Sequence, residues 1–202
     1  MFITFEGGEG VGKSTQIRAL FENLKEKGVD VVLTREPGGC LTAEEIRNVM
    51  LNSSVHLDVI SQLFLVMASR REHYIHTIKP SLEQGKLVLC DRFIDSTFVY
   101  QGLDYFDDIL YLHGLATGGL MPDITFLLDA DPEITLSRMT QRGIENHMDS
   151  LDFQRHETLR TSYLSLATFF PNRIHIIDAS GFPHETFAQI EKVVEKQFFS
   201  TR

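Results

Sequence analysis

Five short runs at residues 1–5, 29–34, 86–91, 123–129 and 173–178 are rich in Val, Ile, Leu or Phe. Apolar runs this short and this continuous point to strands of a parallel sheet covered on both faces. Helical stretches separate them: 14–27, then 43–51 with apolar Ile46, Met50 and Leu51, then 58–79 with Pro80 just beyond. Further helices read at 132–141, opened by Pro132, and at 153–169 and 183–198. Alternating strands and helices joined by parallel crossovers predict a three-layer α/β/α fold around a five-stranded parallel sheet. The polar residues 143–150 lie between two helices and read as a mobile flap, with its base at 138. No repeat, low-complexity run or linker interrupts the pattern, and 202 residues suit one domain.

In such sheets ligands bind beyond the carboxyl ends of the strands. Beyond the first of them stands Gly7-Gly8-Glu9-Gly10-Val11-Gly12-Lys13-Ser14, followed by Thr15, which fits G-x-x-x-x-G-K-[ST] at every fixed position. Strand, glycine-rich loop and helix N-terminus together make an anion cradle: glycines let backbone N–H groups turn inward, Lys13 supplies a point charge, and the Ser14 hydroxyl suits a Mg²⁺ shell. Residues 35–39, the pair Asp91-Arg92 and the segment after Asp129 fall at the same edge of the predicted sheet.

Composition narrows the partner. A formal charge of −9 argues against a nucleic-acid polymer, which needs a basic surface, but leaves room for a small anion in a local basic pocket. Two cysteines, Cys40 and Cys90, make no disulfide framework and suit a reducing cytosol. No apolar run reaches membrane-spanning length, and a first strand beginning at Met1 leaves no room for a targeting segment. The expectation is a cytoplasmic protein without membrane or nucleic-acid partners.

Phosphate loops serve GTPases, ATPases and kinases alike. No [NT]-K-x-D segment is present to read guanine, and Asp178-Ala179-Ser180-Gly181 follows the last strand as a turn. ATP hydrolases often place a second acid after the strand-end Asp, whereas here Asp91 is followed by Arg92, which serves an anionic acceptor better than a water. Asp91 is therefore the expected metal contact with Ser14, and Asp129 its rival. Arg35, Arg47, Arg70 and Arg71, and Arg138 with Arg142 at the flap, supply the cations that a triphosphate donor facing a phosphorylated acceptor requires.

Phe5-Glu6-Gly7-x-Glu9-Gly10-x-Gly12-Lys13-Ser14-Thr15, Thr34-Arg35-Glu36-Pro37-Gly38-Gly39, Asp91-Arg92-x-x-x-Ser96, Tyr100-Gln101-Gly102 and Leu128-Asp129-Ala130-x-Pro132-Glu133 occur in that order. Together they resemble the bacterial thymidylate kinase family over essentially the whole chain. The resemblance implies a P-loop kinase fold, ATP and dTMP as substrates with Mg²⁺ as cofactor, and a homodimer. It implies that residues 7–14 hold the ATP phosphates, that Asp91 holds Mg²⁺, and that Glu9 faces the acceptor sugar. Arg47 and Arg92 would grip the acceptor phosphate, Arg70 would address the thymine edge, and Ser96, Tyr100 and Gln101 would line that pocket. Gly10 stands where one branch of the family keeps an arginine, which assigns Arg138 and Arg142 to the transferring group. The alternatives are a kinase for another nucleoside monophosphate or a deoxynucleoside, and a nucleotide-binding regulatory ATPase.

Three positions depart from the family pattern. Val66 stands where a phenylalanine stacks on thymine, and Phe64, about 200° round the helix, is no simple substitute. Thr140 replaces a central flap arginine, and Asn146-His147-Met148-Asp149 replaces an Asp-Arg-x-Glu-like segment.

Overall fold

The structure, a computed structural model, describes residues 1–52, 57–141 and 153–199. Strands β1 (Phe2–Glu6), β2 (Val31–Arg35), β3 (Leu87–Asp91), β4 (Ile124–Asp129) and β5 (Ile174–Asp178) form one parallel sheet in the order β2-β3-β1-β4-β5. The register sets Asp91 beside both Phe5 and Arg35, and Glu6 beside Leu127, so the strands end at one edge.

Alternation along each strand divides the core. Ile3, Phe5, Leu87, Leu89, Phe126 and Leu128 face the helices α1 (Lys13–Glu26) and α9 (Pro183–Val194). Phe2, Val88, Cys90 and Leu127 face the other way, onto α3 (Val59–His73), α5 (Ile94–Gln101), α6 (Phe106–Thr117) and α8 (Phe153–Phe169). Each fully buried Phe or Leu contributes about 1.5–3 kcal/mol of transfer free energy, so both faces hold the sheet firmly. The same parity turns Thr4 and Glu6 toward the second face. There Thr4 pairs with Thr125 at 2.8 Å, and Thr125 and Arg173 satisfy the buried Asp95.

The predicted three-layer α/β/α arrangement is present, with α2 (Leu41–Asn52) packed on α3 and α7 (Pro132–Gln141) on α8. Two helices escaped the sequence reading. In α5 the side chains of Ile94, Asp95, Thr97, Phe98, Val99 and Gln101 are all buried, which leaves no amphipathic stripe to detect. In α6 the signals were present: Asp107 and Asp108 in the first turn, and Gly118 in the left-handed conformation just past the end. Asp58, read as the first residue of the helical stretch, caps α3, accepting from Ile60 N and Ser61 N. Pro80, expected beyond the helix, instead sits in the first turn of α4 (Lys79–Glu83). A π-turn at Tyr74–Ile78 absorbs the change of ladder that a proline without an N–H demands.

Candidate active site

The loop between β1 and α1 is shaped by close backbone approach. Gly10 has φ +76°, and a Cβ there would lie 2.8 Å from Thr135 O and 2.9 Å from Met139 Cγ on α7. An arginine at this position would therefore displace α7. Gly7, at φ +131°, abuts the Leu128 carbonyl, which seats the loop on the end of β4. Lys13, in the first turn of α1, is 8% exposed and folds back to donate to Gly7 O at 2.8 Å and Gly8 O at 2.6 Å. Burial, with the charge of Arg92, lowers its ammonium to about 8. Ser14 and Thr15 remain exposed at the helix start.

Ser14 Oγ donates to Asp91 Oδ2 at 3.2 Å, and Asp91 Oδ1 is buried with no partner among the described residues. A hydroxyl beside a half-satisfied carboxylate at the mouth of a phosphate cradle suits an oxygen-seeking divalent cation. Asp129, the rival, is taken: Arg160 of α8 clasps it with Nε at 2.7 Å and Nη2 at 3.0 Å. Among the described residues no cluster of three or more His, Cys, Asp or Glu could hold a metal by itself.

Arg92 joins this loop to the neighbouring cleft. Its backbone is left-handed at φ +69°. Nη2 donates to Glu9 Oε1 at 2.7 Å, and Nη1 donates to Gly7 O, Ser96 Oγ and Tyr163 OH at 3.1–3.3 Å. Tyr100 donates to Glu9 Oε1 at 2.6 Å, and its ring lies 5.2 Å from the Arg92 guanidinium. Burial works to raise the Glu9 carboxyl, but Arg92, Lys13 and the Tyr100 hydrogen bond outweigh it and hold it below the ordinary range. Glu9 Oε2 is buried without a partner among the described residues, pointing to a further donor. Glu6 lies fully buried behind this group and accepts from Phe93 N, Ser96 and Tyr163. Its burial, reinforced by Asp95, raises the carboxyl to about 7 against the pull of Ser96 and Arg92.

Arg70 occupies a second buried cluster. It is 1% exposed, donates from Nε to Glu36 at 2.7 Å and from Nη2 to Thr97 at 2.9 Å, and stacks over Phe93 at 4.8 Å. His73 bonds the other Glu36 oxygen at 3.0 Å and Thr34 at 2.6 Å. Arg47 is half-buried and donates to Pro37 O, which brings it to the rim of the 36–39 loop. Gln101 is buried at the end of α5. Val66 is half-buried on α3 while Phe64 faces out at 59% exposure, as their angular separation requires.

Lys13, Ser14 and Asp91 thus form one group, and Glu9, Arg92, Ser96 and Tyr100 another that is bonded to it. Arg138 belongs to neither. Its guanidinium donates to Ala179 O at 2.7 Å, Ser180 O at 2.9 Å and Gly181 O at 3.0 Å, in the turn beyond β5. Arg142, His147 and the proposed flap beyond 141 lie outside the described residues. Glu6, Glu36, His73, Arg160 and Tyr163 were given no role in the sequence reading. A carboxylate closing the apolar run 2–5 was the one local signal, for Glu6; nothing near Tyr163 or Arg160 in sequence announces their partners.

A phosphate cradle at the carboxyl edge of a parallel sheet, with an arginine cleft bonded to it, defines a P-loop kinase fold. The thymidylate kinase family model matches residues 5–190. A thymidylate kinase of Exiguobacterium sp. is 46% identical over 183 residues, spanning 89% of this chain and 86% of that one. One of Symbiobacterium thermophilum is 42% identical over 200 residues, spanning 97% and 93%. The crystal structure of thymidylate kinase from Ehrlichia chaffeensis matches with a TM-score of 0.78 at 39% identity, covering 96% of this chain and 98% of that one. The chain belongs to the thymidylate kinase family.

Proposed function

We infer that the protein transfers the γ-phosphoryl group of ATP to dTMP, giving dTDP and ADP. The observation that carries the reading is Arg92, whose guanidinium is bonded at once to the phosphate loop through Gly7 O and to Glu9 and Ser96 across the cleft. A cation in that place would lie between a polyphosphate in the cradle and a second phosphate beside it.

Residues 7–14 would hold the ATP phosphates on backbone N–H groups, with Lys13 exchanging its two carbonyl partners for phosphate oxygens. Ser14 and Asp91 would hold Mg²⁺, whose charge would offset the β- and γ-phosphate oxygens. Arg92 and Arg47 would grip the dTMP phosphate, and Glu9 would accept from the sugar hydroxyl with its unpartnered Oε2. Arg70, with Ser96, Tyr100 and Gln101, would form the base pocket. A dTMP phosphate oxygen then bonds the γ-phosphorus as the bond to the β-bridging oxygen breaks and ADP leaves. No strong general base is needed, because a phosphate monoester with its second pKa near ~6 is already largely dianionic at neutral pH. Positioning and charge neutralisation do the rest.

Arg142 keeps its assignment to the transferring group within a flap at 138–150. Arg138 would join it only by releasing three carbonyls. We also propose a single-domain cytoplasmic homodimer. No helix among the described residues is long and apolar enough to cross a membrane. The packed pair α3 and α6 leaves Phe64, Tyr111 and Leu115 at 59%, 69% and 63% exposure, an apolar supply suited to a second copy. Sedimentation of the purified protein tests this.

The activity is tested by ADP release from ATP and Mg²⁺ with dTMP, dUMP, dCMP, dGMP or thymidine as acceptor. The fastest turnover is expected with dTMP. A clear preference for another acceptor, or ADP release independent of any acceptor, would overturn the reading. Val66 makes dUMP the informative competitor, since a base held at its edge by Arg70 but not stacked on a ring is read less strictly.

A further inference from the structure

The Tyr163 side chain is 2% exposed on α8, among Leu159, Leu166 and Phe98 of the core. Packing alone would be served by phenylalanine; a buried phenol oxygen needs polar partners. It has three: Arg92 Nη1 at 3.1 Å, Ser96 Oγ at 2.9 Å and Glu6 Oε2 at 3.2 Å. We propose that Tyr163 is a positioning residue for Arg92, aiming its guanidinium at the acceptor phosphate and tying it to α8.

Proton placement supports the direction of these bonds. Ser96 Oγ donates to Glu6 Oε2 at 2.6 Å, and Tyr163 donates to the same oxygen. Once ionised, above about pH 7, Glu6 takes the Ser96 proton, and the Tyr163 proton goes to Glu6 Oε2 or to Ser96 Oγ, so the phenol oxygen is left facing Arg92 as an acceptor. A guanidinium can only donate, so it needs oxygens turned in this way. The other Glu6 oxygen accepts from Phe93 N at 2.7 Å, directly after the left-handed Arg92, and Arg92 N donates to Phe5 O at 3.0 Å. The backbone and the guanidinium of Arg92 are thus fixed by one buried assembly, which offsets the cost of a left-handed arginine. One turn before Tyr163, Arg160 pins α8 to Asp129 at the end of β4. The helix that follows residues 142–152 is therefore anchored to both sides of the cradle, and Tyr163 is its contact with the acceptor side. Being buried, the phenol acts through Arg92.

The inference rests on Arg92 as the acceptor-phosphate ligand. Its test compares dTMP with thymidine, which lacks the phosphate, by calorimetric titration of wild type and Tyr163→Phe. Affinity for dTMP is expected to fall about tenfold, as for loss of a hydrogen bond to a charged group, with thymidine and ATP unchanged within about twofold. In an Arg92→Ala background, adding Tyr163→Phe is expected to change dTMP affinity by less than about twofold, because its route is gone. Equal weakening of dTMP and thymidine, no weakening, or an additive loss in the Arg92→Ala background would each overturn the proposal. Should Tyr163→Phe lower Tm severely, Glu6→Gln supplies the same readout when titrated above about pH 7, where wild-type Glu6 is ionised, since it weakens the pull on the hydroxyl protons while keeping the shape; it is expected to give the same dTMP-selective loss. A wild type that binds dTMP no better than thymidine removes the reading of Arg92 itself, and the inference with it.

Discussion

Arg92 Nη2 and Glu9 Oε1 lie 2.7 Å apart, and the Tyr100 hydroxyl reaches the same carboxylate oxygen at 2.6 Å. An acid inside a phosphate loop would repel the nucleotide unless it were neutralised, and here Arg92 neutralises it. Glu9→Ala removes the acceptor of both bonds and frees Arg92 to turn. The KM for dTMP is expected to rise about tenfold or more, with the KM for ATP little changed. A Glu9→Ala enzyme with an unaltered dTMP response would remove Glu9 from the acceptor site.

Lys13 is held in the loop by two carbonyls rather than by a carboxylate. Its ammonium is desolvated and therefore partly disfavoured, so Lys13→Ala has little stability to lose. Turnover is expected to fall about a hundredfold or more, as for loss of other transition-state charge contacts, while Tm stays within a few degrees. Steady-state kinetics and a thermal melt on the same sample check both halves; wild-type turnover would refute the role.

How much of this was legible in the sequence depends on where each signal lies. The sheet and phosphate loop were legible because their determinants are local: apolar runs, glycine spacing, a lysine and a hydroxyl. Asp91 and Arg92 were legible because strand ends converge in any parallel sheet. Glu6, Tyr163, Glu36 and His73 were not, since their meaning lies in partners 34–157 residues away. The buried α5 also failed to show, because a helix covered on all sides has no period to read.

Arg138 shows the limit of reading an arginine by its neighbourhood. Three carbonyls of the 179–181 turn receive its guanidinium, which closes the loop between β5 and α9. That turn meets α1, the helix that follows the phosphate loop, since Gln16 of α1 donates to Pro183 O at 2.8 Å. Arg138→Ala is expected to lower Tm by several degrees and raise the KM for ATP, with kcat within about threefold. A tenfold loss of kcat at unchanged Tm would instead place Arg138 at the transferring group.

Glu6 supplies a pH dependence of definite sign. Burial, then Asp95, raises its carboxyl from 4.5 to about 7. Between those values the folded state holds a proton that the unfolded state has released. The contribution of Glu6 is therefore most favourable below about 4.5 and is lost as pH rises toward 7. Glu6→Gln cannot titrate and removes that slope. Relative to wild type, the variant is expected to gain on the order of 3 kcal/mol between pH 4.5 and 7.5, read from urea midpoints. A constant difference across that range would mean that Glu6 stays ionised when folded.

Glu36 has the opposite sign, and the comparison isolates what a buried carboxylate owes to its partners. It is as buried as Glu6, so burial again works to raise its carboxyl, but Arg70 at 2.7 Å and His73 at 3.0 Å outweigh burial and hold it below the ordinary range. Its stabilising contribution is present above the unfolded carboxylate range near 4.5 and is lost as pH falls through the depressed folded value. Glu36→Ala leaves the guanidinium of Arg70 desolvated, with Thr97 as its one remaining oxygen partner among the described residues and Phe93 beneath it. A destabilisation of about 3–5 kcal/mol is expected at neutral pH, shrinking toward acid as the wild type loses the same pair. Arg70→Met fills the volume without the charge and, combined with Glu36→Ala, is expected to recover part of that loss. It would not restore the proposed contact of Arg70 with the base, so stability and dTMP affinity are expected to part company in the double variant. A double variant no more stable than Glu36→Ala would show that the cost lies in the 36–39 loop and not in the stranded charge.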